Sequence, residues 1–522
     1  MVRTQRKEQR LHQTSHPVLY EVNVRVLLHE LSEATGKKIT LATIPEKICD
    51  EWADRGFDLI WLMGVWTTGA VGVEIARNYP TLQPEYRKAL LDYTEEDVLG
   101  SPYAVKAYTV SRELGGNKGL LTFRKRLRER GLGLILDFVC NHTARDHVWV
   151  TKHPEYYVHG GENEDVEKPE FFFRIKTSQG QNVIAFGRDP YFPGWTDTAQ
   201  LNYRHPALRK AMIDTLKKVA ALCDGVRCDM AMLVLQEVFQ RTWGDKAIPE
   251  GPEGVQPAAG EFWSEAIAEM RKRDPRFLFI AETYWNLEWQ IQQLGFDFTY
   301  DKTLYDKLLK EGASSVYNHL KAEKGFQEHS VRFIENHDEP RAAHVLSSES
   351  WHCAAAAVIS TVPGMVMYHD GQFEGRKTKV PVQLRRRQSE VPSLFIKSFY
   401  TKLLQCINSP VFRQGDWQLL NSKPAWNDNH TWRNFLAWWW YERSHGARLI
   451  VINYAPHNGQ CYVELHLEQI AGSAVEFRDL LGEAAYVRER SALIAKGMYF
   501  DLPAYGLHIF DVTEAHKSSH SS

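Results

Sequence analysis

Four segments of this 522-residue chain each carry an apolar run into a carboxylate. They are Leu134-Ile135-Leu136-Asp137-Phe138-Val139-Cys140-Asn141-His142, Gly225-Val226-Arg227-Cys228-Asp229, Phe277-Leu278-Phe279-Ile280-Ala281-Glu282 and Val331-Arg332-Phe333-Ile334-Glu335-Asn336-His337-Asp338. Most have an Arg, Asn or His close by. Carboxyls gathered in this number suit general acid–base and nucleophilic work. Arg227 stands two residues before Asp229, so on a strand both side chains point to one side. A guanidinium placed there keeps a carboxylate ionised and oriented. A single Asp at a strand end is more often a turn or cap residue. Asp229, Glu282 and Asp338 on strands of one type make that reading poor, whereas for Asp137 a structural role is favoured.

Apolar strands that end in polar groups at separate points of a long chain imply a parallel barrel with its site on one rim. The surrounding pattern agrees. Val18 to Val26 alternates as a strand, and a helix over 44–55 leads to a strand at 57–62. A helix over 118–131 precedes the first motif strand, and helices over 206–222 and 261–273 precede the next two. Further strands are expected at 296–300, 331–334 and, after an Ala-rich helix over 351–360, at 365–368. Eight strands alternating with helices predict an α/β fold, a (β/α)8 TIM barrel. The barrel takes residues 16–142 and 205–410. Residues 143–204 break the alternation with Gly, Pro and aromatics and are too long for an ordinary connection, so a lobe inserted after strand 3 is expected. Short alternating runs split by turn residues over 411–514 predict a C-terminal all-β sandwich. Residues 1–15 read as a disordered polar arm and 515–522 as a disordered tail.

Lys plus Arg is 63 against 65 for Asp plus Glu, a net charge of −2. That balance gives no reason to expect nucleic acid or an anionic membrane as partner. The N-terminus has charge without an apolar stretch behind it, and no run is long enough to span a bilayer. The seven cysteines are scattered with no CxxC pair, which points to free thiols in the cytoplasm. Trp438-Trp439-Trp440 reads as sandwich core on alternate positions rather than a sugar platform. Arg385-Arg386-Arg387 reads as a solvated basic loop rather than a phosphate site.

The four segments resemble the signature regions of the alpha-amylase family of retaining glycoside hydrolases, and the chain resembles bacterial intracellular members of unassigned specificity. Asp137, Asn141 and His142 match the first region, Gly225 to Asp229 the second, Glu282 the third and Asn336-His337-Asp338 the fourth. Thr198-Ala199-Gln200-Leu201-Asn202 is similar to a fifth region, in the lobe. Ser101-Pro102-Tyr103 resembles the segment whose Tyr stacks on the sugar. The resemblance implies that Asp229 is the nucleophile, Glu282 the acid/base and Asp338 the third carboxylate, which binds hydroxyls and helps distort the ring. It implies substrate contacts from Tyr103, His142, Arg227 and His337, with Asp137 bracing Arg227. The apolar strand end before Glu282 and nearby negative charge are expected to help it hold a proton. The nucleophile and acid/base carboxyls of a retaining enzyme lie about 5–5.5 Å apart.

The activity implied is cleavage of α-glucosidic bonds in short α-glucans or disaccharides through a covalent glycosyl-enzyme. The alternatives are a transglycosylase or isomerase acting on sucrose, trehalose or maltose with the same residues, and a non-catalytic glucan-binding homologue. The sugar or α-glucan is the only partner implied. Met232 and Leu233 stand where many members carry a Lys-His pair. That departure suggests a less polar acceptor side and weakens the case for calcium, since the His backbone helps hold the ion. No cofactor or metal is expected. Asn141, with Asp189 or Asp197, is what remains of an oxygen ligand set.

Overall fold

The computed structural model describes residues 15–177, 180–248 and 256–515. Most of the polar arm and most of the tail lie outside the described residues. Eight parallel strands close into a barrel: β1 (Val18–Asn23), β2 (Leu59–Met63), β3 (Gly133–Val139), β4 (Gly225–Asp229), β5 (Leu278–Ala281), β6 (Phe298–Tyr300), β7 (Ser330–Arg332) and β8 (Met365–His369). Neighbours in sequence are neighbours in space, and β8 pairs back onto β1. Alternation sorts the side chains. Leu19, Trp61, Ile135, Ile280, Tyr300 and Met367 pack inside the barrel, while Ile60, Leu134, Leu136, Val226 and Phe279 belong to the larger core beneath the helices. The tight approach of β4 to β5 explains the glycine that opens the second motif. A Cβ at Gly225 would stand 2.7 Å from Leu278 Cβ and 2.8 Å from Leu278 O.

The strand expected through Val26 stops at Asn23. The Asn23 side chain accepts the N–H groups of Arg25 and Val26 and so caps a helix over Val24–Thr35. A cap outweighs the β-branched run that follows it. The chain leaves the barrel after β3. His142–Ala144 pairs antiparallel with Thr198–Gln200, and a hairpin of Phe172–Thr177 with Gly180–Ala185 lies between them. The lobe is thus tied by its two ends to the carboxyl end of β3, directly beside the barrel rim.

The C-terminal part forms a six-stranded antiparallel sheet and a three-stranded one. Residues of both, among them Phe435, Trp439, Leu449, Cys461, Val463, Phe500 and Phe510, share one core. The Trp triplet divides its work. Only Trp439 enters this sandwich core. Trp438 and Trp440 face the other way into the main core. There both indole N–H groups donate to Thr361, Trp438 to Oγ1 at 3.2 Å and Trp440 to the carbonyl at 2.6 Å. Thr361 ends the helix Glu349–Thr361 that leads into β8. Sandwich core on alternate positions is thus what Trp439 provides, and the rings on either side of it latch sandwich to barrel.

The basic triplet is corrected too. Arg386 binds Asp97 and Asp92 with paired hydrogen bonds of 2.6–3.0 Å. Arg387 does the same to Glu30 and reaches Asp370 at 2.8 Å. Arg385 approaches Asp97 at 3.5 Å. The loop is a lattice of ion pairs, not a solvated face, because distant segments bring it three carboxylates and its own Asp370 supplies a fourth. Trp440→Ala removes a buried indole and its hydrogen bond, so a loss of about 3–5 kcal/mol is expected in denaturant unfolding. A loss below about 1 kcal/mol would show that the latch carries no load.

Candidate active site

One guanidinium organises the carboxyl rim. Arg227 on β4 is fully buried. Its NH1 donates to Asp229 Oδ1 at 2.6 Å and lies 3.8 Å from Asp137 Oδ1. Its NH2 lies 2.7 Å from Glu282 Oε2, at ion-pair distance though off the N–H axis. The strand register produces this cluster, since Arg227 stands beside Asp137 on β3 and Ile280 on β5. Rings of Trp61, Tyr103 and Tyr300 lie 5.1–5.7 Å from the guanidinium carbon. Burial works against the Arg227 charge, but Glu282 and the other neighbouring groups outweigh it and hold the guanidinium protonated.

Glu282 has three polar neighbours besides the apolar strand that leads to it. Met230 N–H donates to Oε2 and Tyr284 OH to Oε1, both at 2.7 Å, and Arg227 is the third. The apolar strand end and the neighbouring Asp229 carboxyl stand beside these donors around Glu282. Met230 reaches it with φ of 43°, a left-handed conformation that costs a non-glycine residue energy and persists only where surroundings hold it. Burial raises the Asp229 carboxyl, Arg227 lowers it and Glu282 raises it again, for a net rise. Burial likewise pushes Asp137 up to about 6 against the pull of Arg227. Asp137 also accepts from Trp61 Nε1 at 3.2 Å and from Gly64 N–H at 3.4 Å. Burial thus raises both aspartates beside the guanidinium, with Arg227 opposing it in each case.

A second charged chain adjoins the first. His337 Nδ1 lies 2.5 Å from Glu21 Oε1 on β1, and Nε2 lies 2.9 Å from Asp338 Oδ2. Tyr103 OH is 2.6 Å from the same Nε2, and its ring stacks on the imidazole at 5.3 Å. Burial would lower His337, but Asp338 and Glu21 on opposite sides raise it to about 10. Desolvation opposes the Asp338 charge, and His337 overcomes it and holds the carboxyl low. With 47% of its side chain exposed, Asp338 opens toward solvent where Asp229 and Glu282 do not. Glu21 is likewise held ionised by the histidines, His369 included, despite complete burial. His142 differs: burial pushes it down to about 3, so it is neutral, packed 5.1 Å from Trp195 of the lobe.

The structure thus brings together Tyr103, Asp137, Arg227, Asp229, Glu282, His337 and Asp338. His142 stands at the adjoining lobe junction. Sequence reasoning missed Glu21, Trp61, Tyr284 and Tyr300. A charged residue inside the apolar run of β1 was the signal for Glu21. Met232 and Leu233 are buried in the main core within a short 3-10 helix. They offer no acceptor surface, which removes the basis for a less polar acceptor side. The oxygen set for calcium does not assemble either. Asn141 Oδ1 accepts from Gln200, and Asp189 Oδ1 accepts the N–H groups of Tyr191 and Phe192. Among the described residues no three His, Cys, Asp or Glu side chains are grouped to hold a metal. The residues present do not fit the ion.

Folding raises the His337 pKa from 6.5 to about 10. The stability this group contributes is full below pH 6.5 and is lost as pH rises toward about 10. In His337→Gln the decline of melting temperature across that window should flatten. An unchanged slope would show that His337 is not charged in the fold.

Residues 56–399 match the model of the alpha amylase catalytic domain, well over half of the chain. Alpha-amylase MalA of Haloarcula japonica is 27% identical over 369 residues, covering 69% of this chain and 44% of that protein. Alpha-amylase 3 of Dictyoglomus thermophilum is 21% identical over 285 residues, 49% of this chain and 50% of that one. The chain spans about half the length of the curated relatives it matches. Among solved structures, the noncanonic maltogenic alpha-amylase AmyB of Thermotoga neapolitana superposes with a TM-score of 0.66 at 19% identity, covering 96% of this chain and 99% of that one. The alpha-amylase of Geobacillus thermoleovorans complexed with acarbose superposes at 0.64 and 16% identity, covering 97% and 100%. At these identities the structures speak for the fold. Together with the match along the catalytic domain, they establish that this chain belongs to the alpha-amylase family of glycoside hydrolases.

Proposed function

We propose that the chain is a retaining α-glycosidase acting on α-glucosidic bonds of short α-glucans or disaccharides. Asp229 attacks the anomeric carbon and forms a glycosyl ester as the leaving oxygen departs. Glu282 gives that oxygen its proton and then takes one from the incoming water. Asp338 and His337 bind sugar hydroxyls, and the Tyr103 ring packs beside them. The observation that carries the reading is the contact of Asp229 and Glu282 with two nitrogens of one buried guanidinium. That arrangement holds two carboxyls at one point with different partners. It suits one to stay ionised while the other cycles a proton. The relative from Geobacillus was solved with acarbose, and the shared fold supports a sugar as ligand here. All seven cysteines are buried free thiols, which supports a reducing, cytoplasmic setting. Among the described residues no helix is long and apolar enough to cross a membrane.

The test is product analysis with maltose, maltotriose, sucrose and trehalose, following the first anomer released by NMR. The α-anomer is expected first; a β-anomer would end the retaining reading. Products dominated by transfer at high sugar concentration would move the assignment to a transglycosylase. Asp229→Ala should lose about a thousandfold or more in kcat. Glu282→Gln should lose as much on maltotriose but far less on α-glucosyl fluoride, whose leaving group needs no proton. Equal losses on both substrates would deny Glu282 the acid role.

A further inference from the structure

The junction between lobe and barrel is built around one nitrogen atom. Gln200 ends the returning strand of the lobe, and Asn141 follows β3; both are completely buried. Gln200 Nε2 lies 2.9 Å from Asn141 Oδ1, 3.0 Å from Asn141 O and 3.1 Å from Leu201 O. On the other side Gln200 Oε1 accepts from Asn141 Nδ2 at 3.2 Å and from Arg188 N–H at 3.4 Å. Acceptors on one flank and donors on the other fix which way the amide points. Flipped, it would set a carbonyl oxygen against two backbone carbonyls.

Oxygens converging on one buried electropositive centre make the surrounding that a hard cation takes, given further ligands and a net negative charge. Here the centre is an amide nitrogen. Its two hydrogens serve three oxygens, and none of those three carries a formal charge. Neither aspartate weighed above as a ligand supplies that charge. Asp189 holds a turn at Tyr191 and Phe192, and burial pushes Asp197 up to about 6, toward its neutral form.

We propose that the Gln200 carboxamide stands in for a cation at the lobe–barrel junction, so that the wall carrying His142 and Trp195 is fastened without metal. The same geometry implies that one atom decides metal dependence. Exchanging Nε2 for a carboxylate oxygen would leave four oxygens facing one another, an arrangement that only a cation relieves. The inference goes beyond the proposed reaction and does not depend on it, because its readout is stability.

The full chain is dialysed and its melting temperature followed with EDTA and with millimolar CaCl2, for wild type and for Gln200→Glu. Wild type should move by less than about 2 °C in either condition. Terbium added to wild type should give no Trp-sensitised emission. Gln200→Glu should melt lower by about 5 °C or more in EDTA and recover in CaCl2, with terbium emission appearing. A fall of wild-type melting temperature in EDTA, or a rise in calcium, would overturn the proposal even if the variant does not fold. A folded Gln200→Glu indifferent to calcium would also overturn it. Loss of activity with these temperatures unchanged would count against the proposed reaction and not against this junction.

Discussion

Burying a charge is costly unless partners surround it, and the rim of this barrel is arranged around that constraint at Arg227. A guanidinium with no solvent access holds Asp229 directly and Glu282 by charge, with Asp137 behind and three aromatic rings about it. Each carboxyl is tolerable at that depth because the cation is there, and the cation is tolerable because of them. The cost of that depth falls on the aspartates, whose carboxyls burial raises against the pull of the single cation.

The second chain, Glu21–His337–Asp338, solves the same problem differently. Here an imidazole carries the positive charge, raised far enough by two carboxylates to stay protonated where a free histidine is neutral. Asp338 is anchored to it yet half exposed, unlike the deeply buried Asp229 and Glu282. The strained Met230 belongs with these features. Its left-handed backbone turns an N–H onto Glu282 directly after the strand that supplies Asp229, so one short segment serves both carboxyls.

Around this centre the remaining parts act as fastenings. The lobe is closed onto β3 by a short ladder and the paired amides of Asn141 and Gln200. The sandwich is latched to the helix before β8 by two indoles. The loop after β8 is tied by the arginines 385–387 to carboxylates from two other segments and to its own Asp370. Each fastening pairs groups far apart in sequence. That is why the latch made by Trp438 and Trp440 went unseen and the arginines passed for a solvated loop: composition shows what a side chain can do, not what will stand opposite it.

What the sequence determined by itself was local. Eight apolar runs alternating with helical patterns sufficed for the barrel, and a carboxylate at the end of an apolar strand marked Asp229 and Glu282, with Asp338 just beyond. Arg227 was legible because period-two geometry puts it on the side of Asp229. Glu21 and Tyr300 were not, since their partners His337 and Arg227 stand far off in the chain. Closure of the barrel alone sets β1 beside β8 and carries Glu21 to His337, 316 residues away. The protonation of each group was likewise decided only by the tertiary structure, because depth and neighbouring charge, which fix a pKa, exist only once the strands are joined.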